Sequence, residues 1–145
     1  MTSTEKHSER IKEHLIEIRD AIDERIEKKP IPIGFHCSAC AVELLELYLH
    51  KINKIPPCKI IKHNWFKRPK SGQKKDALAE RKIGAEFQNK EQIYELIYLI
   101  EEHRDNLVYG HTDPRLISIV LGAFLKFRSI IQEKLLGEGI TIEKE

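Results

Sequence analysis

Two side chains near residue 104 stand out first for the chemistry they can do. Ile93, Ile97 and Ile100 form an apolar line at helical spacing, and four residues further along it stands Arg104. A guanidinium stays charged at physiological pH, so on an apolar line it needs an anion or an opening onto a site. His111 follows in the string RDNLVYGH, just before Thr-Asp-Pro. Arginine offers a planar fork to phosphate oxygens, and histidine titrates near neutrality and can act as general base or acid. Arg104 and His111 therefore read as a phosphate-handling pair, with Tyr109 between them. The competing reading is a buried ion pair of Arg104 with Glu43 or Glu101, beside a loop histidine of no consequence.

A second group is electrostatic. Residues 59–82 hold nine Lys and Arg against Asp76 and Glu80, although the whole chain carries only +2. Lys62, Lys67, Arg68, Lys70, Lys74 and Lys75 are interleaved there with His63, Trp65 and Phe66. Cations beside flat rings suit a nucleic-acid backbone with unstacked bases. The plainer alternative is a solvated loop whose Trp65 and Phe66 turn into the core. The cysteines form a third group. Cys37 and Cys40 in C-x2-C, with Cys58 and His63 downstream, supply the ligand types of a Cys3His zinc site. The first pair, however, lies in an apolar helix, where cysteine serves as a small hydrophobe. No metal or cofactor is assigned from the sequence. His7, His14 and His50 lie among charges and read as solvated surface, and His103 faces away from the isoleucine line. There is no Gly-rich phosphate loop, paired-Asp motif or Ser-His-Asp order.

The elements that must position these groups are helices. Ile11, Leu15, Ile18, Ile22 and Ile26 give one stripe on a helix over 8–28, which KPIPIG stops because proline cannot continue a helix. A second helix over 35–52 is apolar on most sides and is expected at the centre, with Pro56 and Pro57 ending it. A short helix is expected near 74–82. Asn89 with Gln92 three residues on has a capping-box pattern and opens the helix that carries Arg104. Asp113 as N-cap and Pro114 at the first helical position open the last helix. That helix has two apolar lines, one from Leu116 through Val120, Ala123, Phe127 and Ile131 to Leu135, the other Ile117, Leu121 and Phe124. Two lines suggest one side in the core and one against a partner subunit. Gly137 and Gly139 close it, and a mobile tail is expected over 138–145. The fold class is all-α, an up-and-down bundle of four or five helices, in one domain over 1–145 with a basic insertion at about 56–88.

Composition fits this. A chain of 145 residues that is 41% apolar and 33% charged can bury one core and is not composed like a disordered one. The apolar run from Leu116 to Leu125 is well short of a membrane span. The polar first ten residues show no signal peptide, and three cysteines imply no disulfide framework, so a reducing, cytoplasmic setting is expected.

At Arg104 to His111 the chain resembles the HEPN superfamily, small α-helical bundles with an R-x4–6-H motif near the end of the third long helix. The likeness is nearest to the HEPN toxins paired with minimal nucleotidyltransferase antitoxins, whose motif resembles R-N-x-x-V-H-G-Y. Here the string is R-D-N-L-V-Y-G-H: Arg104, Val108 and Gly110 match in place, while Tyr109 and His111 are exchanged. CAVELLELYL, with Glu43 near its middle, also resembles the family's second helix. The resemblance implies a homodimer with two motifs facing one cleft, acting as a metal-independent endoribonuclease or as a non-catalytic descendant that binds RNA or nucleotide. In the nuclease, His111 would activate the ribose 2′-hydroxyl, Arg104 would hold the phosphate, and Tyr109 would be the residue an antitoxin modifies. An oligomerising helical protein without nucleic-acid function is the remaining alternative.

Overall fold

The computed structural model describes residues 4–25, 30–68, 77–110 and 113–142, with Glu24 and Arg25 as backbone alone. Its helices are α1 (Thr4–Arg25), α2 (Pro30–Lys51), α3 (Leu78–Ile83), α4 (Lys90–Tyr109) and α5 (Pro114–Gly137), with one 3-10 turn at His63–Trp65. No strand occurs among the described residues. The molecule is an all-helical bundle built around α2, which packs against α1, α4 and α5, while α4 and α5 pack on each other. Composition explains the order. Thirteen residues of α2 are buried, and its apolar residues face neighbours on several sides. Its length and hydropathy would suffice to cross a membrane, but most of it is covered by the other helices.

The helix boundaries depart from expectation where local chemistry was misjudged. α2 starts at Pro30, a turn earlier than read, because Pro30 and Pro32 occupy its first turn, where no amide donor is needed. It ends at Lys51, ahead of Pro56 and Pro57. Asn53 takes a left-handed conformation (φ 58°), and the Lys54 amide donates to the Leu49 carbonyl at 2.9 Å. α4 begins where predicted, but Asn89 is left-handed (φ 67°) and its side chain makes no cap, so the capping box is not formed. The Asp113 cap of α5 is as read: its carboxylate accepts from the Arg115 amide at 2.9 Å, with Pro114 following.

Two expectations about surfaces are corrected. Both apolar lines of α5 turn inward: Val120, Phe127 and Ile131 are buried on one, and Ile117 and Phe124 on the other. The helix lies against both α2 and α4, so it needs two covered lines within a single chain. The tail is packed rather than mobile over its described part, since Ile140 and Ile142 are buried. The Ile140 amide donates to the Leu135 carbonyl at 2.9 Å, folding the chain back over the end of α5.

Candidate functional site

The described polar side chains that could do chemistry gather at two places along α2. The first is at its start. Gly34 lies so close to α4 that an added Cβ would stand 2.8 Å from the Leu107 Cβ and 3.4 Å from the Arg104 carbonyl. Glycine here lets the two backbones approach, which fixes the end of α4 that carries Arg104. The Arg104 side chain is 13% exposed. Its Nη1 donates to Asp105 at 3.2 Å, and its buried Nε has no hydrogen-bond partner. Neither internal carboxylate that could have neutralised it does so. Glu43 pairs with His7 and Arg10, and Glu101 accepts from Ser38 and contacts His63 at 2.9 Å.

The other members of the predicted motif do not join Arg104. Tyr109, the last residue of α4, is 79% exposed. Five residues along an α-helix turn a side chain by about 140°, so Tyr109 points away from the Arg104 side. His111 lies outside the described residues, as do Lys70, Lys74 and Lys75.

The basic segment crosses α2 and α4 beside this region, but most of its named groups are engaged. Phe66 is buried, edge-on to Tyr94 at 5.3 Å, and Trp65 packs partly buried against the core, so neither ring forms an open stacking platform. Arg68 is held by Glu95 and Glu102 and lies over the Tyr98 ring, and the hydrogen bonds it donates to those two carboxylates push its pKa further up. Lys62 and Lys67 are exposed. Between the segment and α4 lies a cleft of about 350 Å³, lined by His63, Asn64, Lys67, Arg68 and the acids Glu101, Glu102 and Asp105 among others. Each of those acids contacts a cation or a histidine.

The second gathering, near the C-terminal end of α2, was not anticipated. His7 is 1% exposed, not solvated. It stands four residues before Ile11 and so heads the buried stripe of α1, with Leu15, Ile18 and Ala21 following. Ile22, predicted to belong to that stripe, is 41% exposed, and Ala21 takes its place. His7 Nδ1 lies 2.7 Å from Glu43 and Nε2 lies 3.1 Å from Glu46. Glu46 also accepts from the Ile61 amide at 2.6 Å, and His50 Nε2 donates to the Lys59 carbonyl at 3.0 Å. One ligand-type atom each from His7, Glu46 and His50 lies within 4.8 Å of the others.

The environment separates the two glutamates. Burial acts to raise the Glu43 carboxyl, but His7 and Arg10 outweigh it and hold the group below the ordinary range. Burial raises Glu46, only partly offset by the Ile61 amide, His7 and His50. Toward the start of α2, His14 and His36 meet with their Nδ1 atoms 2.8 Å apart, and both are lowered, chiefly by burial. The signals for this cluster were present in the sequence. His7 is one turn before the first predicted core residue, and Glu46 and His50 are four apart on the central helix.

The four residues considered as a zinc set are not brought together. Cys37 and Cys40 are fully buried in the core and Cys58 is exposed, while His63 is occupied by Glu101. Burial pushes both core thiols upward, the opposite of what a metal ligand needs. Compared with known proteins, the chain matches no protein-family model, no curated protein and no solved structure. Its function therefore has to be read from its own chemistry.

Proposed function

We propose that the chain is an RNA-binding helical module of the HEPN-like kind, with Arg104 as the contact to a backbone phosphate. The observation that carries the reading is the state of that side chain. It sits on the apolar line of α4, 13% exposed, with a buried Nε that nothing accepts from and only the adjacent, exposed Asp105 as ion-pair partner. A buried donor left unmade costs about 1–3 kcal/mol, which a phosphate oxygen would recover. Lys62 and Lys67 supply exposed positive charge on the basic segment. Binding rather than cleavage is the core of the proposal, because the exposed Tyr109 does not share the Arg104 side. The homodimer belongs to it as well, with Ile119 and Leu125 as exposed apolar positions on α5. A nucleotidyltransferase antitoxin is the partner that the nuclease form would have.

The test is binding of a labelled single-stranded RNA at several salt concentrations, with and without EDTA. The expected result is salt-sensitive binding that Arg104→Ala weakens and that Lys62→Glu with Lys67→Glu weakens further. Cleavage in EDTA that Arg104→Ala abolishes would promote the module to a nuclease. No binding at low salt ends the proposal.

A further inference from the structure

The cluster at the other end of α2 shows a different chemistry, and reading it does not depend on the RNA proposal. His7 Nδ1 lies 2.7 Å from Glu43, and a carboxylate can only accept, so Nδ1 carries the proton. In the neutral ring the lone pair is then on Nε2. His50 Nε2 faces the Lys59 carbonyl at 3.0 Å, so that nitrogen donates and Nδ1 holds the lone pair. Both histidines thus have one ring nitrogen committed to an outer acceptor and the other left for a cation. Metal-binding histidines are oriented in this way by carboxylates and backbone carbonyls.

The contact between His7 and Glu46 points the same way. Nε2 and the Glu46 carboxylate oxygen are 3.1 Å apart, yet Nε2, completely buried, makes no hydrogen bond. The separation suits a hydrogen bond and the direction does not. Two acceptor atoms at that distance repel unless a cation lies close to both. A proton would have to sit on the N···O line, whereas a metal ion sits to one side of it. Ligands about 2.05 Å from a tetrahedral ion stand about 3.3 Å from each other, close to the separation seen.

We propose that His7, Glu46 and His50 form a binding site for a divalent transition-metal ion of the zinc class. Two imidazoles and one carboxylate are a donor set that suits zinc and its borderline neighbours and disfavours magnesium or calcium. The ion would tie α1 to α2. Through the Glu46–Ile61 and His50–Lys59 bonds it would also anchor the start of the basic segment to the bundle. Glu43 is a positioning residue, holding the tautomer of His7.

The experiment uses the full chain and two probes, zinc by calorimetry and cobalt(II) by visible absorption. One equivalent of cobalt is expected, with d–d bands and no thiolate charge-transfer band. His50→Ala and Glu46→Gln should each weaken binding at least about tenfold, and Glu43→Ala by roughly tenfold to a hundredfold. Cys58→Ser and His36→Ala should leave it unchanged. His7→Ala removes a buried group and can unfold the chain, so His50→Ala, at a half-buried position, carries the test with circular dichroism as the check on folding. Failure of the wild-type chain to take up either ion overturns the assignment. Uptake that persists in both His50→Ala and Glu46→Gln, or that vanishes with Cys58→Ser, overturns it equally.

Discussion

The two ends of α2 handle buried charge in opposite ways. Near Lys51, His7, Glu43, Glu46, Arg10 and the Ile61 amide form a linked set of several partners, in which His7 Nε2 is the buried nitrogen left without a hydrogen bond. Near Pro30, Arg104 stands almost alone, tied only to the neighbouring Asp105. About 24 Å separates Gly34 from His50 along the helix axis. A dense network holds helices together and sets protonation states. A lone, poorly satisfied cation stabilises little and is suited to an incoming anion. The difference teaches that burial of charge has no single meaning in this fold: the Lys51 end ties helices together, directly and through the proposed metal ion, while the Pro30 end is left open for an incoming anion.

The largest effect that can sharpen this comparison comes from the networked end. His7→Ala leaves two carboxylates facing an apolar gap and is expected to cost about 3 kcal/mol, read as a lowered midpoint in urea unfolding. A loss no larger than that of an exposed histidine would break the claim that this end is structural. Next is Gly34→Ala, at the open end. The new Cβ would meet Leu107 at 2.8 Å, so α2 and α4 must separate, at a cost of about 1–3 kcal/mol. The same variant should weaken RNA binding, because the end of α4 moves with its arginine.

A smaller effect, on pH dependence, comes from His14 and His36, which meet toward the start of α2. In the unfolded chain His14 and His36 take up protons near pH about 6.5. In the fold, burial foremost lowers both. Between the lowered values and about 6.5 the unfolded chain binds more protons, so stability falls as pH falls through that window and levels off below it. His14→Gln with His36→Gln should flatten the thermal midpoint between pH 5 and 7, whereas Arg104 variants should not change its slope. A slope unaltered by the histidine pair contradicts the assignment.

Much of the fold was legible because periodicity carries it. The isoleucine line of α4, the apolar α2 and the Asp113–Pro114 start of α5 all follow from spacing and end chemistry. Where expectation and fold differ, the position of a polar residue outweighs its type. His7 continues the stripe of α1, Glu46 lies among leucines, and Pro30 opens a helix it was expected to prevent. Arg104 was legible because a cation interrupts an apolar line. The partner of Glu43 was not, since His7 lies 36 positions away and no local pattern links them. Trp65 and Phe66 were ambiguous for a similar reason: the same string serves a loop that binds bases and a loop that packs on Tyr94.

The most direct test of the central claim is to measure stability and RNA affinity together for Arg104→Met. The apolar side chain of similar length removes an unsatisfied buried donor. If the arginine is kept for a phosphate, the variant should be as stable as the wild type or more stable by about 1 kcal/mol, while RNA affinity falls at every salt concentration. A variant that loses stability and binds RNA as well as the wild type would show that Arg104 is a structural residue, contradicting the account.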